Sequence, residues 1–117
     1  MNKSYIGGSW VEGSTALTDL NPSDTSDEIG EFAASDGAQT REAIAVARDA
    51  AAAWRESGIH RRAEILDFIG GEILARKEEL GTLLSREEGK VLGEGIGEAE
   101  RAGHIFKFFA GEAVRIA

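Results

Sequence analysis

The chain changes character at Asp36-Gly37-Ala38-Gln39, where a strand-like pattern gives way to a helix-like one. An aspartate followed three positions later by a glutamine is typical of a capping box, which satisfies the first N–H groups of a helix. Beyond it, one face carries small or apolar residues as far as Gly58: Ala43, Ala47, Ala50 and Trp54. We therefore expect strands and turns over residues 1–35 and helices over residues 36–117.

Short strands and turns are indicated before this switch. Tyr5-Ile6 and Trp10-Val11 flank the pair Gly7-Gly8, a usual signal for a β-hairpin. The only proline lies in a turn cluster at residues 21–24, and residues 28–33 alternate polar with apolar or small side chains. The pattern predicts a first hairpin followed by two or three further extended pieces.

Three more helices are predicted after Gly58. The second runs from about Ile59 to near Glu78, the third from about Glu79 to Glu88, and the fourth from about Leu92 to Ile116. Glu72 and Arg76 are spaced to form an ion pair. The inward faces are predicted to carry Ile65, Ile69 and Ile73, then Leu80, Leu83 and Leu84, then Ile96, Ala99, Gly103, Phe106, Ala110 and Ala113. The aromatic residues Trp54, Phe106, Phe108 and Phe109 are expected to pack in a core.

The composition excludes several classes of function. The 117 residues have a net charge of −8, which disfavours nucleic acid or an anionic membrane as a partner. They contain no cysteine, so disulfides, thiolate metal sites and thiol nucleophiles are absent from the sequence. No apolar run has the length of a membrane span or a signal peptide. We expect a soluble, cytoplasmic protein.

Two motif-like features do not meet the requirements of a site. Gly93, Gly95 and Gly97 resemble a phosphate-binding glycine loop, but no strand precedes them and Glu98 stands where the third glycine is needed. His60 and His104 lie in different predicted helices and outside any metal-binding pattern. We interpret the glycine region as a helix stop and loop, and the two histidines as surface or half-buried residues.

The order of several short motifs carries more information than any one of them. The first four are residues 5–11, Asn21-Pro22-Ser23, Glu28-Ile29-Gly30, and residues 45–50 leading to Trp54-Arg55. They continue with residues 62–66, 76–80, 85–90 and 108–113. In this order they resemble the opening of the aldehyde dehydrogenase superfamily over essentially the whole chain. The resemblance implies an α/β parent enzyme, in which residues 1–117 form the N-terminal part of the nucleotide-binding domain.

The resemblance also implies a reaction that this chain cannot perform alone. In the family a cysteine thiolate attacks an aldehyde, a hydride passes to NAD or NADP, and a glutamate helps water to release the acid. These residues lie beyond Ala117, which ends within a helical pattern as a cut would. We therefore assign no catalytic and no cofactor-binding residue here, and expect an inactive chain that binds no cofactor alone. The implied partners are the remainder of the enzyme, an aldehyde substrate and further copies in a homo-oligomer.

Within the family, residues 21–27 and 86–98 are most similar to bacterial 2-oxoglutarate semialdehyde (2,5-dioxopentanoate) dehydrogenases. This similarity implies a carboxylated semialdehyde as the substrate. Gly93 departs from the proline that this group usually has, and we expect it to loosen a loop by releasing a fixed φ angle.

Two peripheral roles follow from the positions that match the family. Asp19, the carbonyl of Leu20 and Glu87 are candidates for binding a monovalent cation, for which oxygen ligands are suitable. Ordinary surface carboxylates are the alternative. Arg101 is a candidate for binding the remote carboxylate of the substrate, and a solvent-exposed arginine is the alternative.

Two other functions stay open from the sequence. One is a non-catalytic helical interaction or assembly module that folds by itself. The other is a family member that has lost its cysteine and serves in assembly.

Overall fold

The computed structural model describes residues 2–116, in which four strands precede four helices. The strands are β1 (Ser4–Ile6), β2 (Ser9–Val11), β3 (Thr15–Leu20) and β4 (Glu28–Ala34), and the helices are α1 (Gly37–Glu56), α2 (Ile59–Ala75), α3 (Lys77–Glu88) and α4 (Leu92–Arg115). The predicted order of strands and then helices is confirmed. The chain divides into two compact units, the first ending at Glu56 and the second beginning at Ser57.

β1 and β2 form the predicted hairpin, with Tyr5 opposite Trp10. The turn consists of Gly7 and Gly8, whose φ angles of 60° and 83° require the left-handed region that glycine enters without strain. The Tyr5 and Trp10 rings lie 4.9 Å apart. A two-residue glycine turn therefore fixes the register of this hairpin.

β3 and β4 form a second antiparallel pair, in which Asp19 lies opposite Gly30 and Leu20 opposite Glu28. The register shifts between Asp19 and Leu20, as at a β-bulge. The connecting turn is held by side chains: Asn21 Oδ1 accepts a hydrogen bond from the Ser23 N–H at 2.9 Å. The predicted turn cluster is thus an Asx turn, in which an asparagine side chain binds the backbone N–H two residues later.

The capping box at the start of α1 is confirmed. Asp36 Oδ1 accepts hydrogen bonds from the Ala38 and Gln39 N–H groups, both at 2.9 Å, and Gln39 Oε1 accepts one from the Asp36 N–H at 3.2 Å. The predicted inward face of this helix is wrong in part, because Ala47, Ala50 and Trp54 are exposed.

The boundary between α2 and α3 differs from the prediction. α2 ends at Ala75, and Arg76, with φ −109° and ψ 16°, separates it from α3. Arg76 forms a two-pronged ion pair with Glu79, with Nη2–Oε1 at 2.7 Å, where the sequence predicted a pair with Glu72. No glycine or proline marks this break, so it could not be predicted from the residue types alone.

Small residues allow the helices of the second unit to pack closely. A Cβ at Gly70 would lie 2.9 Å from the Gly103 carbonyl oxygen, and one at Gly103 would lie 2.7 Å from Leu74 Cγ. α3 approaches α4 in the same way, since a Cβ at Gly81 or at Gly95 would overlap atoms of the other helix. We call the seven buried residues of these three helices the small-residue seam: Gly70, Gly81, Ser85, Gly95, Ala99, Gly103 and Ala110.

The core is thin, as the alanine-rich composition suggests. Within residues 2–116, Ala99 and Ala110 are the only buried apolar side chains. The prediction that Trp54, Phe108 and Phe109 pack in a core is wrong, because 46%, 62% and 54% of their surfaces are exposed. The predicted inward Leu83 is also 40% exposed.

No helix within residues 2–116 combines the length and the hydropathy needed to cross a bilayer.

Candidate functional site

Arg101 lies near the middle of α4 and is exposed. It is two positions from both Ala99 and Gly103, which are buried in the small-residue seam, so its side chain projects from the opposite side of the helix. No aspartate or glutamate within residues 2–116 forms an ion pair with its guanidinium. The Arg101 guanidinium lies on the outer face of a packed helix and can therefore bind an anion.

The carboxylates beside Arg101 are bound by lysines. Glu98, three positions earlier, accepts a hydrogen bond from Lys90 Nζ at 2.7 Å, and Glu100 accepts one from Lys77 Nζ at 2.7 Å. Lys90 also binds Glu88 at 2.6 Å, and only 16% of its side chain is exposed. These ion pairs join α3 and the link after it to α4.

The ion pairs shift the pKa values of their members in the direction that favours the charged forms. The hydrogen bond from Lys77 holds the pKa of the Glu100 carboxyl below its usual value of 4.5, and Glu100 in turn raises the pKa of Lys77. Hydrogen bonds to Glu88 and Glu98 raise the pKa of Lys90. Both lysines are therefore fully charged near neutral pH.

The predicted cation ligands lie on two different units. Asp19 is half-buried and Leu20 exposed at the bulge of β3, while Glu87 is exposed near the end of α3. Oxygen ligands of this type are suitable for a hard cation. Because Glu87 belongs to the other unit, the site stays a prediction. Residues 2–116 hold no cluster of three histidine, cysteine or acidic side chains arranged for a metal ion.

The glycines at positions 93, 95 and 97 lie inside α4 and not in a loop. The N–H groups of Glu94 and Gly95 donate to the Val91 carbonyl, and Gly95 packs against α3. Gly93 therefore lies at the start of a helix and Gly95 in its packing against α3, while space is open around Gly97. The expectation that Gly93 loosens a loop is wrong, because Gly93 lies in the first turn of α4.

An apolar groove that the sequence patterns did not indicate lies between the start of α2 and the end of α4. It has a volume of about 360 Å³ and is lined by Ile59, Arg62, Leu66, Phe109, Glu112, Ala113 and Ile116. The signal for it was Phe109, which adjoins the inward stripe of α4 without belonging to it. The groove is an uncovered apolar surface within the second unit.

The family model described as the aldehyde dehydrogenase family matches residues 10–117. The NADP(+) succinate-semialdehyde dehydrogenase 1 of Schizosaccharomyces pombe is 35% identical over 97% of the chain and 23% of its own length. An alpha-ketoglutarate semialdehyde dehydrogenase of Haloferax volcanii is 33% identical over 96% of the chain and 24% of its own length. The chain thus spans about a quarter of the length of these curated relatives.

Solved structures give the same result. An aldehyde dehydrogenase of Brucella melitensis biovar abortus superposes with a TM-score of 0.93 at 28% identity, over 100% of the chain and 24% of its own. An NADP-dependent enzyme of E. coli superposes with a TM-score of 0.92 at 30% identity, over 99% and 24% respectively. With four short strands and four helices that match such structures throughout, the chain belongs to the aldehyde dehydrogenase family.

Proposed function

We propose that this chain forms the N-terminal part of the nucleotide-binding domain of an enzyme that oxidises an aldehyde to a carboxylic acid with NAD or NADP. The observation that carries the proposal is the match to dehydrogenases over nearly the whole chain, which covers about a quarter of their length. Within such an enzyme the chain is a scaffold, and its exposed apolar side chains are covered by the remainder.

The chain supplies structure to this reaction and no reacting group. In the family a cysteine attacks the aldehyde, and these 117 residues contain no cysteine. We therefore expect no dehydrogenase activity and no cofactor from the chain alone. NAD or NADP supplies hydride acceptance when it is bound to the complete enzyme. The parent is further proposed to be a cytoplasmic homo-oligomer, which sedimentation of the complete enzyme would test.

The proposed substrate is a carboxylated semialdehyde such as 2-oxoglutarate semialdehyde. Three relatives support this class by their names: a succinate-semialdehyde dehydrogenase, an alpha-ketoglutarate semialdehyde dehydrogenase and a malonate-semialdehyde dehydrogenase. The exposed Arg101, which has no ion-pair partner within residues 2–116, is the proposed ligand of the remote carboxylate.

The test is steady-state kinetics of the complete enzyme with charged and neutral aldehydes. Arg101→Ala should raise the KM for 2-oxoglutarate semialdehyde about tenfold or more, as expected for a charge-assisted hydrogen bond, and should leave the KM for a neutral aldehyde unchanged. Arg48→Ala, which removes an exposed arginine of α1, should change neither value. Equal effects of Arg101→Ala on both substrates would remove Arg101 from substrate binding.

We also propose that Asp19, the Leu20 carbonyl and Glu87 bind a monovalent cation in the complete enzyme. Their oxygen donors and the bulge at Asp19 support this proposal. Replacement of the ion by rubidium in crystals should give an anomalous peak beside Glu87. An absence of any peak there would contradict the site.

A further inference from the structure

The two acidic residues closest to Arg101 in sequence are both bound by lysines. Glu98 binds Lys90 at 2.7 Å, and Glu100 binds Lys77 at 2.7 Å. No other aspartate or glutamate lies within four positions of Arg101. Of the two, Glu98 is the competitor for Arg101, because side chains three positions apart on a helix are neighbours.

The ammonium of Lys90 is held in place by several contacts. Gly89 ends α3 with a φ of 67°, and the Lys90 N–H then donates to the Ser85 carbonyl at 3.1 Å. The side chain is 16% exposed and reaches Glu88 at 2.6 Å as well as Glu98. Lys90 thus joins the last turn of α3 to the second turn of α4.

We propose that Lys90 is a positioning residue for substrate recognition: by binding Glu98 it keeps that carboxylate from pairing with Arg101, whose guanidinium then binds the carboxylate of the substrate. The proposal rests on the proposed role of Arg101. Without Lys90, Glu98 would weaken substrate binding in two ways. It would compete for the Arg101 guanidinium, and its negative charge would repel the carboxylate of the substrate.

Lys90→Met in the complete enzyme tests this directly. Methionine keeps an apolar stem of similar length, and the change removes the charge that binds Glu98. The KM for 2-oxoglutarate semialdehyde should rise about two- to fivefold, the range of an exposed ion pair, while kcat and the KM for a neutral aldehyde stay unchanged. Lys90→Arg, which retains the charge, should keep the parental KM.

Rescue separates positioning from a purely structural role. Adding Glu98→Gln to Lys90→Met removes the competing carboxylate and should return the KM for the charged semialdehyde to the parental value. The matched control is Lys107→Met, which breaks another ion pair from α4, that to Asp67 at 2.8 Å, and should leave both KM values unchanged.

The results distinguish this inference from the proposed function. If Arg101→Ala affects only the charged substrate but Lys90→Met has no effect, the role of Lys90 is wrong and that of Arg101 stands. If Lys90→Met lowers kcat for every aldehyde and Glu98→Gln does not restore it, Lys90 is structural and the inference is overturned. If Arg101→Ala is not selective, both proposals fail.

Discussion

The two units of the chain differ in what they bury. Every buried residue described lies in the second unit, between Gly70 and Ala110, whereas the first unit has no buried residue from position 2 to Glu56. The buried residues of the second unit are glycine, alanine and serine, which allow its three helices to approach closely. The lesson is that close backbone packing, and not large apolar side chains, organises the only core that the described residues contain.

The first unit has local order without a core. Its hairpin turn, Asx turn and capping box are satisfied by neighbours in sequence. A 20-residue helix such as α1 is marginal in water unless another element covers its apolar face. This unit is therefore the part that depends most on the remainder of the proposed enzyme.

Adding a methyl group to the small-residue seam should have the largest effect on the stability of the second unit. A Cβ at Gly81 would overlap Ile96 of α4, so we expect Gly81→Ala to lower the free energy of unfolding by about 3 kcal/mol. Urea unfolding followed by circular dichroism measures this loss. Gly97→Ala is the control, because space is open there and alanine favours the helix, which should stabilise it by up to about 1 kcal/mol. Similar behaviour of the two variants would show that the seam does not organise the unit.

Removing the cap of α1 should have a smaller effect, confined to the first unit. Asp36→Ala removes the acceptor of two N–H groups and should cost the helix about 1 kcal/mol. The measurement is amide hydrogen exchange over α1. Asp49→Ala, in the exposed middle of the same helix, should not increase exchange. If Asp36→Ala also accelerated exchange throughout α4, the two units would not be separate in stability.

Ser85→Ala should instead stabilise the second unit. The Ser85 hydroxyl is buried and has no hydrogen-bond partner among the described residues. Thr82→Ala in the same helix controls for helix propensity, because Thr82 is exposed and its hydroxyl donates to the Glu78 carbonyl at 2.7 Å. Ser85→Ala should exceed Thr82→Ala in stability by about 1 kcal/mol in thermal unfolding. A destabilised Ser85→Ala would mean that the hydroxyl is satisfied.

Acid should weaken the second unit by a small amount. Ion pairs hold the pKa values of Glu79, Glu100 and Glu112 below 4.5 in the folded chain. Their stabilisation is therefore present above pH 4.5 and is lost as pH falls through the lower folded values. The urea midpoint should decrease below pH 4.5, and less steeply in Lys77→Met, which removes the partner of Glu100. An unchanged midpoint down to pH 3 would show that these pairs contribute nothing.

The parts of the fold that local chemistry decides were predictable from the sequence. Gly7-Gly8 indicated the hairpin, and Asp36 with Gln39 indicated the start of α1. The break at Arg76 was not predictable, because it has no sequence marker and an ion pair with Glu79 accompanies it. The exposure of Trp54 and Phe108 was also missed, since helical spacing shows which residues share a face but not whether anything covers that face.

In the candidate site, too, local features were predictable from the sequence and contacts between elements were not. Arg101 was identified through family resemblance, and its exposure agrees with either binding or solvation. The lysines that bind Glu98 and Glu100 lie 8 and 23 positions away in sequence, so only the packing of α3 against α4 reveals them. Sequence spacing detects partners within one helix, and the pairs that matter here join two elements.

Hydrogen exchange of the whole chain, resolved by residue, tests the contrast between the units most directly. We expect amides of α4 from Ala99 to Ala110 to be protected by about 100-fold or more, while those of α1 and the hairpins exchange within about tenfold of an unfolded chain. Equal protection of α1 and α4 would contradict it, because the first unit would then be stable without the partner that the scaffold role requires.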